Sequence, residues 1–549
     1  MRAFNKTSFL RRFLPALGLA TALVAGGTAN ADDTAVAPEP TARNLEAQAE
    51  PADTEREKAL ADLQSGLQSI WAGANLRLGT TAVYVVDAET GEPLYNVHDS
   101  DALNPASNVK LISTGTVLAT LGPDWRFQTH VLGSAADDSG TIHGGLYLYG
   151  NYDPTLGPLA LEELATELRA KGITRVVGDI VLDDSLTRDT LALSKVRITV
   201  RGTAAGKPAA VEVWPASNLV SITSNRVRSK NAGRSQVRVS SSLVEATLEG
   251  EQPRIDVNIR GTIRKGHTRV LHVPIRLRST FTGSALQRAL QDSGIVVDGA
   301  VRLASFSDFN QEEGRAGRIP FPLATHNSRD IASLVKRVNK RSLNHLSDRL
   351  VMSAARSVYG GPLEMSSAVA LMKNWLTTIG IDAESVVLDS GSGLSYQTQL
   401  SAKQIVTVLR AAGGYVQGAT PGPRAVQSFR ESLALGGVDG TLRRRFRVPG
   451  SKVEGRVQGK TGTLTRVIAL SGFITREDGR SLCFSIVTNG HHNHRKRTVR
   501  LEHEHMVAEL DAFLGETPSA SGPVKATSIA TVPRASTRTD VAEATPALP

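Results

Sequence analysis

One cysteine in a chain of 549 residues excludes an internal disulfide. Cys483 lies in the apolar run 482–487 with no activating histidine pattern around it, so it reads as a buried strand thiol rather than a nucleophile. Aromatic residues are scarce, at 5%, and the basic runs Arg443-Arg444-Arg445 and Arg495-Lys496-Arg497 lack the aromatic interleaving of a nucleic-acid-binding face. They read as solvated surface, and no nucleic acid is expected. His491, His492, His494, His503 and His505 gather late in the chain, but their spacing lacks a helical ligand pair. They too read as solvated, and no metal is expected. Past the N-terminus, no stretch is long and apolar enough to span a bilayer.

What is present begins with an export signal. Arg2, Lys6, Arg11 and Arg12 precede the apolar segment 13–24, and small residues lead to Ala29-Asn30-Ala31. Residues 1–31 are expected to be removed on export, leaving a periplasmic protein; an uncleaved anchor is the alternative, weakened by the short apolar run. The Arg11-Arg12 pair fits twin-arginine export poorly. The formal charge of +10 falls to +6 once the four basic residues of that segment are gone, a modest excess that suits an anionic polymer without requiring one. Residues 32–57 and 516–549, rich in Ala, Pro, Thr and Ser, read as a disordered linker and tail.

The rest is globular in composition, with 40% hydrophobic and 21% charged residues, and too long for one ordinary core. Leu60, Leu63, Leu67 and Ile70 mark a helix, followed by a hairpin of strands at 81–86 and 93–97. From 122 to 305 the pattern becomes short alternating strands with Gly, Asp and Asn turns. Helices return from Ile331, then strands at 456–459, 468–474 and 482–488, and a helix at 498–514. This order predicts an α+β protein: an antiparallel sheet flanked by helices, from 58–121 and 306–515, interrupted by a β-rich insertion at 122–305.

Three short elements carry the chemistry. Ser107 and Lys110, three apart at the start of a helix, share a face, so the lysine can reach the hydroxyl. A serine needs such a base, and Lys110 can serve only when neutral, a state favoured by burial and by a nearby cation such as Lys460. Ser342 and Asn344 lie on a short segment between helices. Ser342 is assigned to proton transfer toward the leaving group, and Asn344 to hydrogen bonds with Lys110 and a substrate amide. In Lys460-Thr461-Gly462-Thr463 the first two residues suit a substrate carboxylate. Gly462 would let substrate lie against a strand, and the Thr463 N–H would join that of Ser107 as oxyanion donor. A second S-x-x-K, Ser333 to Lys336, falls inside an amphipathic helix and is taken as accidental.

The three elements match the S-x-x-K, S-x-N and K-T-G set of serine acyltransferases. With Asn104-Pro105-Ala106 before Ser107, Asp153-Pro154-Thr155-Leu156, Asp183-Asp184-Ser185, the stretch 389–395 and Gly437 to Leu442, the chain resembles the class C low-molecular-mass penicillin-binding proteins. The likeness covers about 58–514. It implies a penicillin-binding-protein/β-lactamase-like transpeptidase domain interrupted by two nested β-rich domains. It also implies serine D-alanyl-D-alanine carboxypeptidase and endopeptidase action on peptidoglycan peptides, and acylation by β-lactam antibiotics. No metal or organic cofactor is implied. Leu343 stands where the family usually has aspartate, and a basic stretch, 195–207, replaces a Pro- and Trp-containing loop that shapes side-chain recognition in relatives. A serine β-lactamase would share the motifs but normally lacks so large an insertion. A non-catalytic wall-binding protein would have no need of Ser107, Lys110 and Lys460.

Overall fold

The computed structural model describes residues 50–150, 153–183, 193, 195–245, 253–361, 364–419, 422–447, 453–492 and 495–516. The expected signal segment, most of the linker and nearly all of the tail lie outside them. Of two units, Met1–Thr54 and Glu55–Pro549, the second holds, among the described residues, every element but the start of the helix Glu50–Trp71.

The half of it that carries the three sequence motifs is built on a six-stranded antiparallel sheet. The strands are β1 (Thr80–Asp87), β2 (Pro93–Val97), β3 (Ala434–Leu435), β4 (Val457–Leu464), β5 (Val467–Thr475) and β6 (Ser481–Asn489), in the order β3-β4-β5-β6-β1-β2. Strands covered on both faces are apolar throughout, and β5 and β6 are buried along their whole length except the last residue. The two-residue period of β1 sends Ala82, Tyr84 and Val86 to one core and Val83 and Val85 to the other. The second core is closed by α1 (Glu50–Trp71), through Ala59, Leu63 and Leu67, and by the C-terminal helix Lys496–Glu516, through Val499, Met506 and Leu510. On the first face lie α2 (Val109–Leu121), α3 (Ile331–Arg341), α4 (Asn344–Tyr359) and α5 (Met365–Thr378).

Three boundaries differ from expectation. Helix α1 starts at Glu50, inside the stretch read as linker to 57, because its Ala and Glu residues favour helix and Pro51 sits at a terminus that needs no N–H. Strand β4 continues to Leu464, so the Lys460–Thr463 motif is itself strand. The insertion does not end at 305: the strand Phe321–Asn327 pairs antiparallel with Gln128–Gly133, and Phe309 packs with Leu132, Tyr147 and Val181. The helix Phe306–Arg315, though helical, therefore belongs to the insertion.

The insertion has a five-stranded sheet of Val301–Ala304, Ile180–Asp183, Leu146–Tyr149, Gln128–Gly133 and Phe321–Asn327, in that spatial order. Between the second and first of these in space the chain makes a further excursion, Lys195–Pro274, with two three-stranded sheets. The nesting is covalent rather than energetic, since Val196, Ile198, Val257 and Ile259 share one apolar core with Leu148, Leu164 and Leu182.

Candidate active site

Ser107 sits in a single 3-10 turn, Ala106–Asn108, that runs into α2. The turn is tied down on both sides. Asn104 accepts from the Ala106 N–H at 2.9 Å and exchanges bonds with Asn489 at 3.0 Å, while Asn108 donates to Ser471 Oγ at 2.8 Å. Ala106 is held at φ 47, a left-handed conformation that an alanine adopts only under such constraint. Gly393 backs the turn. A Cβ there would stand 2.0 Å from the Ala106 carbonyl oxygen.

Helical spacing then does what the sequence predicts. Lys110 Nζ lies 3.0 Å from Ser107 Oγ, and also donates to Asn344 Oδ1 at 2.7 Å and to the Ser392 carbonyl at 2.5 Å. The side chain is fully buried and all three partners are neutral. Burial pushes the ammonium down to about 8, partly opposed by the charge of Asp348. Lys460, also fully buried, donates to Ser342 Oγ at 3.0 Å and to the Thr461 carbonyl at 2.9 Å. Burial first, then the charge of Lys110, holds it well below its ordinary value.

Ser342 ends α3 in a left-handed conformation, φ 54, and Asn344 opens α4 two residues later. The sharp reversal turns both side chains toward the lysines. Five separated residues thus form two linked groups, Ser107–Lys110–Asn344 and Ser342–Lys460. The accidental motif stays apart, with Lys336 exposed beside Glu431 at 3.5 Å.

The motif around Lys460 lies along the edge of the sheet. Strand β3 pairs only with Gln458 and Gly459, so β4 beyond them has an open edge on that side among the described residues. Thr461 donates to Thr441 Oγ1 at 2.9 Å, and the exposed Thr463 accepts from Arg500 at 3.2 Å. The reason for Gly462 is different from the one expected. A Cβ there would meet the Pro105 carbonyl oxygen at 2.5 Å and Ala106 Cβ at 3.2 Å, so the glycine seats β4 against the serine turn rather than clearing room for substrate.

Sequence reasoning missed the support around Lys110. Asp348, one turn beyond Asn344 on α4, accepts from the Ser392 hydroxyl and the Gly391 N–H. Burial pushes its carboxyl upward. Ser113 and Ser347 both donate to the Gly391 carbonyl, at 2.5 and 2.7 Å. The i to i+4 spacing of Asn344 and Asp348 was the available signal. The histidines need correction too. His491 and His503 are fully buried; His503 shares a 2.9 Å contact with Thr488 Oγ1, while His492 and His505 are exposed and His494 lies outside the described residues. Helix amphipathicity turns His503 inward between Val499 and Met506. Cys483 is buried as expected, and burial raises its thiol far above the ordinary range.

A serine hydroxyl beside a lysine poised to lose its proton, with a second lysine–serine pair behind it, is an arrangement for acyl transfer. The model of the D-Ala-D-Ala carboxypeptidase 3 (S13) family matches residues 63–510. The chain belongs to this S13 family. Among its relatives, the D-alanyl-D-alanine carboxypeptidase of Actinomadura sp. (strain R39) is 29% identical over 468 residues, covering 79% of this chain and 82% of that one. The D-alanyl-D-alanine carboxypeptidase DacB of Haemophilus influenzae is 25% identical over 402 residues, 70% of this chain and 80% of its own. The crystal structure of penicillin binding protein 4 from Haemophilus influenzae, complexed with a β-lactam, superposes with a TM-score of 0.59 at 21% identity, covering 83% of this chain and 99% of that one. The fold is therefore shared along nearly the whole of that protein.

Proposed function

We propose that this chain is a serine D,D-peptidase of peptidoglycan, removing terminal D-Ala from wall peptides and hydrolysing D-Ala cross-links through an acyl-enzyme on Ser107. The observation that carries the reading is the buried Lys110 amine 3.0 Å from Ser107 Oγ, surrounded by neutral hydrogen-bond partners. In its neutral form Lys110 takes the proton as Ser107 Oγ attacks the penultimate D-Ala carbonyl. The Ser107 and Thr463 N–H groups face the oxyanion. As the tetrahedral intermediate collapses, the proton held by Lys110 is passed on through Ser342, polarised by Lys460, to the departing amine, which leaves as free D-Ala or as the released cross-linking amine, with Lys110 neutral again. Water, with its proton taken by the same relay, then frees the enzyme. Asn344 orients Lys110 and binds the substrate amide, while Thr461 and Lys460 draw in the terminal carboxylate. β-Lactam antibiotics enter the first half of this sequence and remain attached. The N-terminal signal pattern supports a periplasmic location, where such substrates occur.

Ser107→Ala should abolish both labelling by fluorescent penicillin and release of D-Ala from a D-Ala-D-Ala peptide, with an unchanged circular dichroism spectrum. Labelling that survives in this variant would move the nucleophile elsewhere.

A further inference from the structure

The chain's positive charge is not spread over it. Residues 195–274 hold 14 of the Lys and Arg residues and 5 of the Asp and Glu, a net of +9 within a chain whose total is +10. Much of that charge lies on one sheet, formed by the strands Val220–Lys230, Arg254–Arg264 and Gln236–Val244 in that spatial order. One face of the sheet, with Val227, Val257, Ile259 and Ile263, is core. The alternate residues point outward.

Across the outward face Arg226, Arg260 and Arg238 stand directly opposite one another in register, one from each strand. Arg228, Lys230 and Arg264 extend the patch toward one end. Arg226, Arg228, Arg238, Arg260 and Arg264 are exposed, and none of the six makes an ion pair among the described residues. The single acid at an outward position of these strands, Asp256, is paired with Arg254 at 3.1 Å. Like charges set directly across a sheet repel and destabilise it. A fold has no use for three arginines in one row.

The other outward residues say what kind of partner relieves that repulsion. Ser224, Ser240, Ser242, Asn258, Thr262 and Gln236 are polar and uncharged, and Val244, at the far end of its strand from the arginine row, is the one aliphatic side chain among the outward positions of these strands. A membrane surface would call for apolar or aromatic side chains to enter the headgroup layer. A single-stranded nucleic acid would call for stacking platforms. A flat field of guanidinium groups among hydroxyls and amides instead matches a hydrated polymer bearing carboxylates, which arginine binds in bidentate fashion.

We propose that the outward face of this sheet is a docking surface for the peptidoglycan polymer itself, gripping the free carboxylates of its peptide stems. The surface holds the enzyme on insoluble wall while the Ser107 site works on individual peptides. This inference rests on the wall-peptidase reading for the identity of the polymer.

The test is co-sedimentation of the full chain with purified wall sacculi freed of lipid and phosphodiester polymer, over a series of salt concentrations. It is run beside flotation with vesicles of equal parts phosphatidylglycerol and phosphatidylcholine. The wild type should sediment with sacculi at low salt and be released as salt rises. Arg226→Ser/Arg238→Ser/Arg260→Ser should bind sacculi about tenfold more weakly or worse, with a flatter salt dependence. The same variant should keep wild-type penicillin labelling and turnover of a soluble D-Ala-D-Ala peptide. Its melting temperature should hold or rise, since a repelling row has been removed. Equal sedimentation of variant and wild type, or binding to the vesicles without binding to sacculi, overturns the proposal. Loss of peptide turnover and labelling in the wild type would instead strike the peptidase reading, and is scored separately.

Discussion

A lysine sealed from water beside a serine must lose its own proton before it can take another. With Lys110 pushed down to about 8, kcat/KM for penicillin acylation should rise with pH, reach half its maximum near pH 8, and fall about tenfold per unit below it. Stability follows the same residue. An unfolded lysine keeps its proton to its ordinary value of 10.5, so folding expels a proton between the two values, and stability contributed by this group should rise with pH across that window. Asp348 opposes the shift. Replacing it as Asp348→Asn removes a charge that favours the protonated amine, so the acylation profile should move to lower pH; an unmoved profile would leave Asp348 no part in tuning the base. The five site residues were legible because each motif is a local geometry, one turn of helix or a few residues of strand. The Ser392 carbonyl that receives Lys110 was not, since a backbone oxygen has no signature in sequence. Asp348 did leave a signal, its i to i+4 spacing from Asn344, but an acid on a helix usually faces water.

Elements set where those residues point. The segment before α4 turns sharply at Ser342, and Leu343 occupies the N-cap position without a side-chain cap while packing partly against the core. Leu343→Asp would add a cap worth about 1 kcal/mol and lose a comparable amount of apolar burial. Denaturant midpoints should therefore differ little, which would explain why an apolar residue is tolerated between two site residues. Strand β4 is less forgiving. Gly462→Ala drives a methyl against the Pro105 carbonyl, and the strand and the serine turn must separate, costing about 1–3 kcal/mol and at least about tenfold in acylation rate. Wild-type labelling rates in that variant would mean that the contact is slack. The alternating and apolar runs made the strands readable, but not how far β4 extends. A glycine inside a strand reads as a break unless the surface it rests on is known, and that surface lies hundreds of residues away. His503 was misread for a related reason, since the helix Lys496–Glu516 mixes charged and buried positions closely.

At the scale of the whole molecule, the two ends of the insertion leave the catalytic half side by side. Gln128 and Asn327, where it begins and ends, are paired across adjacent antiparallel strands, and the same ladder runs on to the Gly133–Phe321 pair. The sequence displayed the β-rich character of this region but not its end, because the helix at Phe306–Arg315 has the same pattern as the helices of the catalytic half, and only strand pairing assigns it. Neighbouring exits make the insertion removable in principle. A chain in which residues 134–320 are replaced by a two-residue Asn-Gly turn should close as a simple hairpin. It should still be labelled by penicillin, although it has lost the sheet proposed to grip the wall. Failure of that shortened chain to label, despite a cooperative melt, would mean that the insertion shapes the catalytic cleft directly. The adjacency of Gly133 and Phe321 also makes this ladder a graft point: surface modules can be exchanged there as cargo, changing what the enzyme clings to while the acylating machinery is inherited whole.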